Sequence, residues 1–148
     1  MRAVVQRVAR ARVLIEGQVA GSIEHGLLVL LGIATADTVT EAEWLADKIL
    51  NLRIFANEAG KFDQSLLDLR AELLVVSQFT LLADTRKGRR PAFTDAAAPE
   101  LAVPLYQSFL SRAAAAGVRV ASGRFGANMQ VELINDGPVT IILETPPR

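Results

Sequence analysis

Apolar and polar positions alternate through the first residues of the chain. Val4, Gln6 and Val8 take one side and Val5, Arg7 and Ala9 the other, which predicts a strand. Arg12-Val13-Leu14-Ile15 and Val19-Ala20-Gly21-Ser22-Ile23 flank Glu16-Gly17-Gln18, a short hairpin connection with glycine at the turn. From Gly26 to Ile33 the chain is continuously apolar and bounded by glycines, which predicts a strand buried on both faces. The period then lengthens. Thr40-Glu41-Ala42-Glu43 fits a capping box with Thr40 as N-cap and Glu43 at N3. Leu45, Ile49 and Leu52 follow on one helical face, with Trp44 at its border as a core residue. Asn57 to Lys61 reads as a turn, and Leu73-Leu74-Val75-Val76 as a buried strand that delivers Ser77 at its end.

A polar loop from Ala83 to Pro99 precedes a second helix, expected from about Glu100 to Ala116. Leu101, Leu105 and Phe109 mark its apolar face, Pro104 falls in its first turn, and Gly117 caps its end. Three strands are expected to close the chain, at Val118–Val120, Met129–Ile134 and Val139–Leu143. Strands with two main helices make an α+β arrangement.

The length of 148 residues fits one domain, and an apolar half of the chain supplies a core of Val, Leu, Ile and Ala. Acidic and basic residues balance, so net charge does not point to a nucleic-acid partner. Arginine greatly outnumbers lysine; its planar fork suits phosphate and carboxylate, although a GC-rich genome or a surface preference is the better explanation of the bias. There is no cysteine, which excludes disulfides, thiolate catalysis and cysteine-ligated zinc. The first residues carry charge too early for a signal peptide, and no apolar run approaches the roughly 20 residues of a membrane helix. A soluble cytoplasmic protein without membrane association is expected.

Four segments can carry chemistry. Ser77-Gln78-Phe79-Thr80 offers two hydroxyls, an amide and an aromatic face at the end of a rigid strand, or else a strand end whose hydroxyls bond to backbone. Asn135-Asp136-Gly137-Pro138 is a strong hairpin signal between apolar strands, and Gly137-Pro138 is a bond at which a cis peptide is cheap. Arg86-Lys87-Gly88-Arg89-Arg90 puts four cations on a polar loop, as a phosphate contact or as a solvated charge run. Gly123 to Met129 reads as a tight path lining a pocket, without the spacing of a nucleotide fingerprint. The only histidine, His25, lies in a turn as a surface residue, so a histidine-based triad has little to build on. Asp63 and Asp68 have no histidine partner, so neither a metal nor a cofactor is expected.

Taken in order, these segments resemble the D-aminoacyl-tRNA deacylases, also called D-tyrosyl-tRNA deacylases. The resemblance runs from Met1-Arg2-Ala3-Val4-Val5-Gln6-Arg7-Val8 through Ser77-Gln78-Phe79-Thr80-Leu81 with Ala83-Asp84, Lys87-Gly88-Arg89-Arg90-Pro91 with Phe93, and Gly123-Arg124-Phe125-Gly126-Ala127 with Met129, to Asn135-Asp136-Gly137-Pro138-Val139-Thr140.

It implies a homodimer with a compact, barrel-like antiparallel or mixed β-sheet packed by two main helices. It implies proofreading hydrolysis of the ester between a D-amino acid and the terminal ribose of tRNA, without a cofactor. Gly137-Pro138 would be a cis dipeptide that enters the partner's pocket and holds the substrate's α-amino group by main-chain oxygens, with Arg7 orienting it. Ser77, Gln78, Phe79 and Thr80 would line that pocket, with amides near Phe79 and Thr80 facing the developing oxyanion. Met129 would contact substrate, and Arg86, Lys87, Arg89 and Arg90 the tRNA. Two routes stay open for the chemical step: Thr80 as nucleophile, or a water assisted by the tRNA 2′-hydroxyl. Three other classes compete: a non-catalytic RNA-binding module, a deacylase for L residues, and a serine esterase, which the absence of a Gly-x-Ser-x-Gly elbow disfavours.

Overall fold

In a computed structural model that describes residues 1–147, one long strand organises the chain. Strand β1 (Arg2–Ile15) pairs along nearly its whole length with β8 (Gln130–Glu144) on one edge. Its other edge is shared. Residues 2–8 pair with β3 (Gly26–Gly32), and residues 11–15 with β2 (Gln18–Ile23), all antiparallel. The sheet continues through parallel pairs from β3 to β6 (Glu72–Ser77) and from β6 to β7 (Val120–Ser122). It curls into a nearly closed barrel: at Gly21 of β2 a Cβ would lie 2.7 Å from the Ser122 carbonyl oxygen of β7. A separate small hairpin, β4 (Phe55–Ala56) and β5 (Phe62–Gln64), turns at Asn57–Lys61 as expected.

Strand alternation sorts the apolar residues into two cores. Leu27, Val29 and Leu31 of β3, with Leu73 and Val75 of β6, face the helices; Leu28, Leu74 and Val76 fill the barrel with Val8 and Val13. Thus β3 is buried on both faces, as its unbroken apolar run requires. Glycine begins it because β6 passes close: a Cβ on Gly26 would sit 1.9 Å from the Glu72 carbonyl oxygen.

Helix α1 (Val39–Asn51) and helix α3 (Pro99–Ala115) cover the outer core, with the single turn α2 (Leu66–Leu69) beside them. Several local expectations are corrected. The cap of α1 is Thr38 with Glu41, not Thr40 with Glu43: the Glu41 carboxylate accepts from the Thr38 N–H and hydroxyl, each at 2.6 Å. Thr-x-x-Glu occurs twice here, and the preceding residue decides between them. Buried Asp37 accepts the Ala34 N–H at 2.7 Å and the Met1 nitrogen at 2.8 Å, pinning the entry to the helix. Leu45 and Ile49 are buried, but Trp44 lies outside the core, 39% exposed. In α3 Pro99 takes N1, where a missing N–H costs nothing, so Pro104 falls in the second turn. The buried face is Ala102, Leu105, Tyr106, Phe109 and Ala113, and Leu101 is turned outward. Gly117 ends the helix at φ +88°. The strand expected at 118–120 begins two residues later.

The larger correction concerns Asn135-Asp136-Gly137-Pro138, which is no hairpin. Both flanks pair antiparallel with the same strand, so the chain keeps its direction and the two expected strands are one. Gln6 faces Thr140 and Val8 faces Asn135, so two steps on β1 span five on β8. The surplus juts out of the ladder. Among the described residues no helix is long and apolar enough to cross a membrane.

Burial of Tyr106 gives a pH test of this packing. Its hydroxyl donates to the Val75 carbonyl at 3.0 Å, and burial pushes its pKa from 10.0 up to about 12. The folded state holds this proton more tightly than the unfolded chain does. Stability is therefore complete below pH of about 10 and declines as pH rises to about 12. Tyr106 is the single tyrosine, so tyrosinate absorbance reports it alone. A midpoint near the ordinary value would contradict the buried placement.

Candidate active site

Strand β6 delivers Ser77 between the ends of its two parallel neighbours. On one side the Gln78 N–H donates to the Leu31 carbonyl at 2.8 Å; on the other the Gly123 N–H donates to the Val75 carbonyl at 3.2 Å. A 3-10 turn, Phe79–Leu82, follows. Gln78 donates its side-chain amide to the Thr80 hydroxyl. That amide neither takes nor gives a proton near neutrality, so the side chain bonded to Thr80 is not a base. Phe79 is 54% exposed and meets Phe93 edge-on, ring centroids 5.0 Å apart.

Phe93 stands at the foot of a basic hairpin. Asp84 and Ala92 exchange N–H···O bonds of 2.7 and 2.9 Å, which project Arg86 to Arg90 into solvent. Arg86 is not free: Asp84 engages its Nε at 2.9 Å and its Nη2 at 2.8 Å, and in return the guanidinium holds the Asp84 carboxyl below its usual pKa. Lys87, Arg89 and Arg90 are exposed, and the tip carries Gly88 at φ +67°.

A second cluster gathers around the protruding segment of β8. The Gly137–Pro138 peptide is cis, and both residues are exposed. Gly137 has φ +139°, and a Cβ there would come within 2.8 Å of Val139 Cγ2 and 3.1 Å of Arg7 Nη2. Only glycine fits this backbone. Asn135 laces the segment from inside, accepting the Val139 N–H at 2.8 Å and donating to Thr140 Oγ1 at 3.1 Å. Arg7 holds it from below: Nε donates to the Asp136 carbonyl at 2.9 Å, and Nη1 to the Ile54 carbonyl at 2.8 Å. The ring of Phe62 lies 5.8 Å from the guanidinium carbon, within cation–π range. The Asp136 carboxylate is farther from Arg7, at 3.9 Å.

The two clusters do not meet within one chain. Ser77-Gln78 lies level with Leu31, opposite Ala3; the protrusion lies level with Arg7. Along the strands four steps of β1 separate them, about 13 Å at ~3.3 Å per residue, and across the sheet β1 and β3 lie between β8 and β6. Met129 belongs to neither cluster. It packs on the barrel core that holds Val76, with its sulfur against Gly123. His25 is exposed, its ring edge-on to Phe55. Among the described residues no cluster of three or more metal-ligating side chains exists.

Residues 4–144 match the family described as D-Tyr-tRNA(Tyr) deacylase. The chain belongs to this family. It is 60% identical over 145 residues to a D-aminoacyl-tRNA deacylase of Herpetosiphon aurantiacus, covering 98% of this chain and 95% of that one. It is 57% identical to the D-aminoacyl-tRNA deacylase of Roseiflexus castenholzii, with 98% and 92% covered. Among solved structures, the c-Myc DNA unwinding element binding protein superposes with a TM-score of 0.93 at 47% identity, over 99% of this chain and all of that one. A probable eukaryotic D-amino acid tRNA deacylase shares the fold, with a TM-score of 0.86 at 20% identity over 96% and 97% of the two chains.

Sequence patterns missed the support beneath Arg7. One partner is the main-chain oxygen of Ile54, which no residue type betrays. The other is Phe62, whose 55% exposure gives it no signature of burial. The support is testable. Arg7→Ala removes two charge-assisted hydrogen bonds and is expected to raise amide exchange at Val139 by at least about tenfold. Protection in β3 and β6 should stay unchanged. Unaltered exchange at Val139 would show that Asn135 alone holds the segment.

Proposed function

We propose that this chain hydrolyses the ester of D-aminoacyl-tRNA, releasing free tRNA and the D-amino acid, as a homodimer whose sites each combine residues of both protomers. The observation that carries this reading is the distance between the two clusters. A pocket made of Ser77–Thr80 and a protruding Gly137–Pro138 needs the protrusion of a second copy. The long outer edge of β8 also favours a partner: among the described residues β1 is its one strand neighbour, and it exposes Ile134 and Ile142.

In this reading the main-chain oxygens of the partner's Gly137–Pro138 receive the substrate's α-amino group. Every amino acid has that group, so side chains of many kinds are accepted. An L residue held by its amine would drive its side chain into the dipeptide, and exclusion is steric. Glycine has no side chain to exclude. Met129, packed on Gly123 from the barrel side, backs the pocket wall without reaching substrate.

The amides of Phe79 and Thr80 open a 3-10 turn and have no acceptor inside it. They face the developing oxyanion, and each such donor contributes on the order of 10²–10³ in rate. Gln78, bonded to the Thr80 hydroxyl, offers no general base. Water assisted by the tRNA 2′-hydroxyl is therefore preferred to a covalent Thr80. Lys87, Arg89 and Arg90 contact phosphate; Arg86, neutralised by Asp84, contributes less. Such a chiral proofreader works in the cytoplasm, where translation consumes aminoacyl-tRNA.

Two experiments test this. Incubation with D-tyrosyl-, L-tyrosyl- and glycyl-tRNA should cleave the first fast, the third measurably and the second not at all. Binding without deacylation would favour an RNA-binding module. Thr80→Ala under single-turnover conditions should retain chemistry within about tenfold, whereas loss of a covalent nucleophile costs far more.

A further inference from the structure

We infer that Arg2, together with Gly32, is a positioning residue for the deacylase site, setting where the Phe79–Leu82 turn rests on the end of the sheet. The inference rests on the deacylase reading above. Arg2 and Gly32 face each other across the β1–β3 ladder, directly beneath the turn.

Gly32 provides the seat. A Cβ there would lie 2.4 Å from Leu82 Cδ2, 3.1 Å from the Gln78 carbonyl oxygen and 3.2 Å from Leu81 Cβ. A Cβ there would turn the Leu82 side chain aside and ask the Gln78 carbonyl and Leu81 to give by a few tenths of an ångström, so the turn rests closely on this strand. Arg2 provides the tether. Its Nη1 donates to the Leu81 carbonyl at 2.6 Å, while its Nε donates to Glu144 at 2.7 Å. Closing carbonyls of a helical turn lack partners within it. The Thr80 carbonyl is taken by the Ala83 N–H at 3.1 Å, and the Leu81 carbonyl by the guanidinium. With the Gln78 N–H on Leu31 at 2.8 Å, the turn is fixed at its start, its underside and its end.

The hydrogen bond of Arg2 into the turn goes to the Leu81 main chain, not to Phe79 or Thr80. It acts on the main chain that carries both, and on the amides assigned to the oxyanion. Glu144 holds the guanidinium fork so that Nη1 points at Leu81. An ammonium at this place would serve one of the two acceptors well and the other poorly. The Arg2 side chain is 37% exposed, so truncation opens no core cavity, and its effect on stability stays small.

The test uses D-tyrosyl-tRNA and the full chain. Arg2→Ala should lower the single-turnover rate constant about tenfold or more, as loss of orientation does. KM should stay within about twofold and the thermal midpoint within about 2 °C. Arg2→Lys should recover part of the rate. Gly32→Ala lifts the same turn from its other side and should also act on the rate constant. The losses in the double variant should fall short of multiplying, because both release one element. Three results with active wild type overturn the inference alone: Arg2→Ala within about twofold of wild type, a change confined to KM, or a rate loss matched by a fall in thermal midpoint. A wild-type chain without deacylase activity overturns the functional reading, and this inference with it.

Discussion

The hydrogen-bond ladders of β1 constrain everything else in the molecule. One strand pairs with three others and must change partners on one edge between Val8 and Ala11 while keeping β8 on the other. No flat strand does this. The register slips there, the strand bends, and the sheet coils toward closure. A separate shift, between Gln6 and Val8, leaves β8 with more residues than β1 can pair. The protrusion of Gly137–Pro138 is that surplus, and Arg7, inside the shift, is the side chain in place to hold it.

The two clusters share a chemical style. Beside hydroxyls and the Arg7 guanidinium, the hydrogen-bonding groups described in them are peptide oxygens, peptide N–H groups and two carboxamides. Such groups keep one charge state across the physiological range, so their usefulness depends on position. The rigid parts of the fold supply position. Ser77 ends a strand buried on both sides, and Asn135 and Arg7 fix the protrusion from two directions. Charge reaches the protrusion through Arg7, and a further set of cations sits on the hairpin tip.

Much of the frame was legible in the residues because burial writes a periodic signal. The unbroken run of β3, the alternation at the start of β1 and the apolar stripe of α1 all survive. The failures came where two local signals competed and a distant contact chose. Thr-Val-Thr-Glu-Ala-Glu holds two capping boxes, and Asp37 selects the earlier. Asp136-Gly137 has the chemistry of a tight turn, but turn chemistry cannot report that β1 pairs with both flanks. In the site, Ser77–Thr80 and Gly137–Pro138 stood out as motifs. Their separation within the chain did not, because register is a long-range property.

Arg7 grips residue 136 by its peptide oxygen at 2.9 Å, while the carboxylate of the same residue stays at 3.9 Å. The peptide oxygen is common to all twenty amino acids. At that position the genetic alphabet can change while the atom that matters cannot, so the protrusion is insulated from substitution there. Heredity stores this part of the machine as a path through space, not as a spelling, and mutational drift can rewrite the letter without moving the hand it holds.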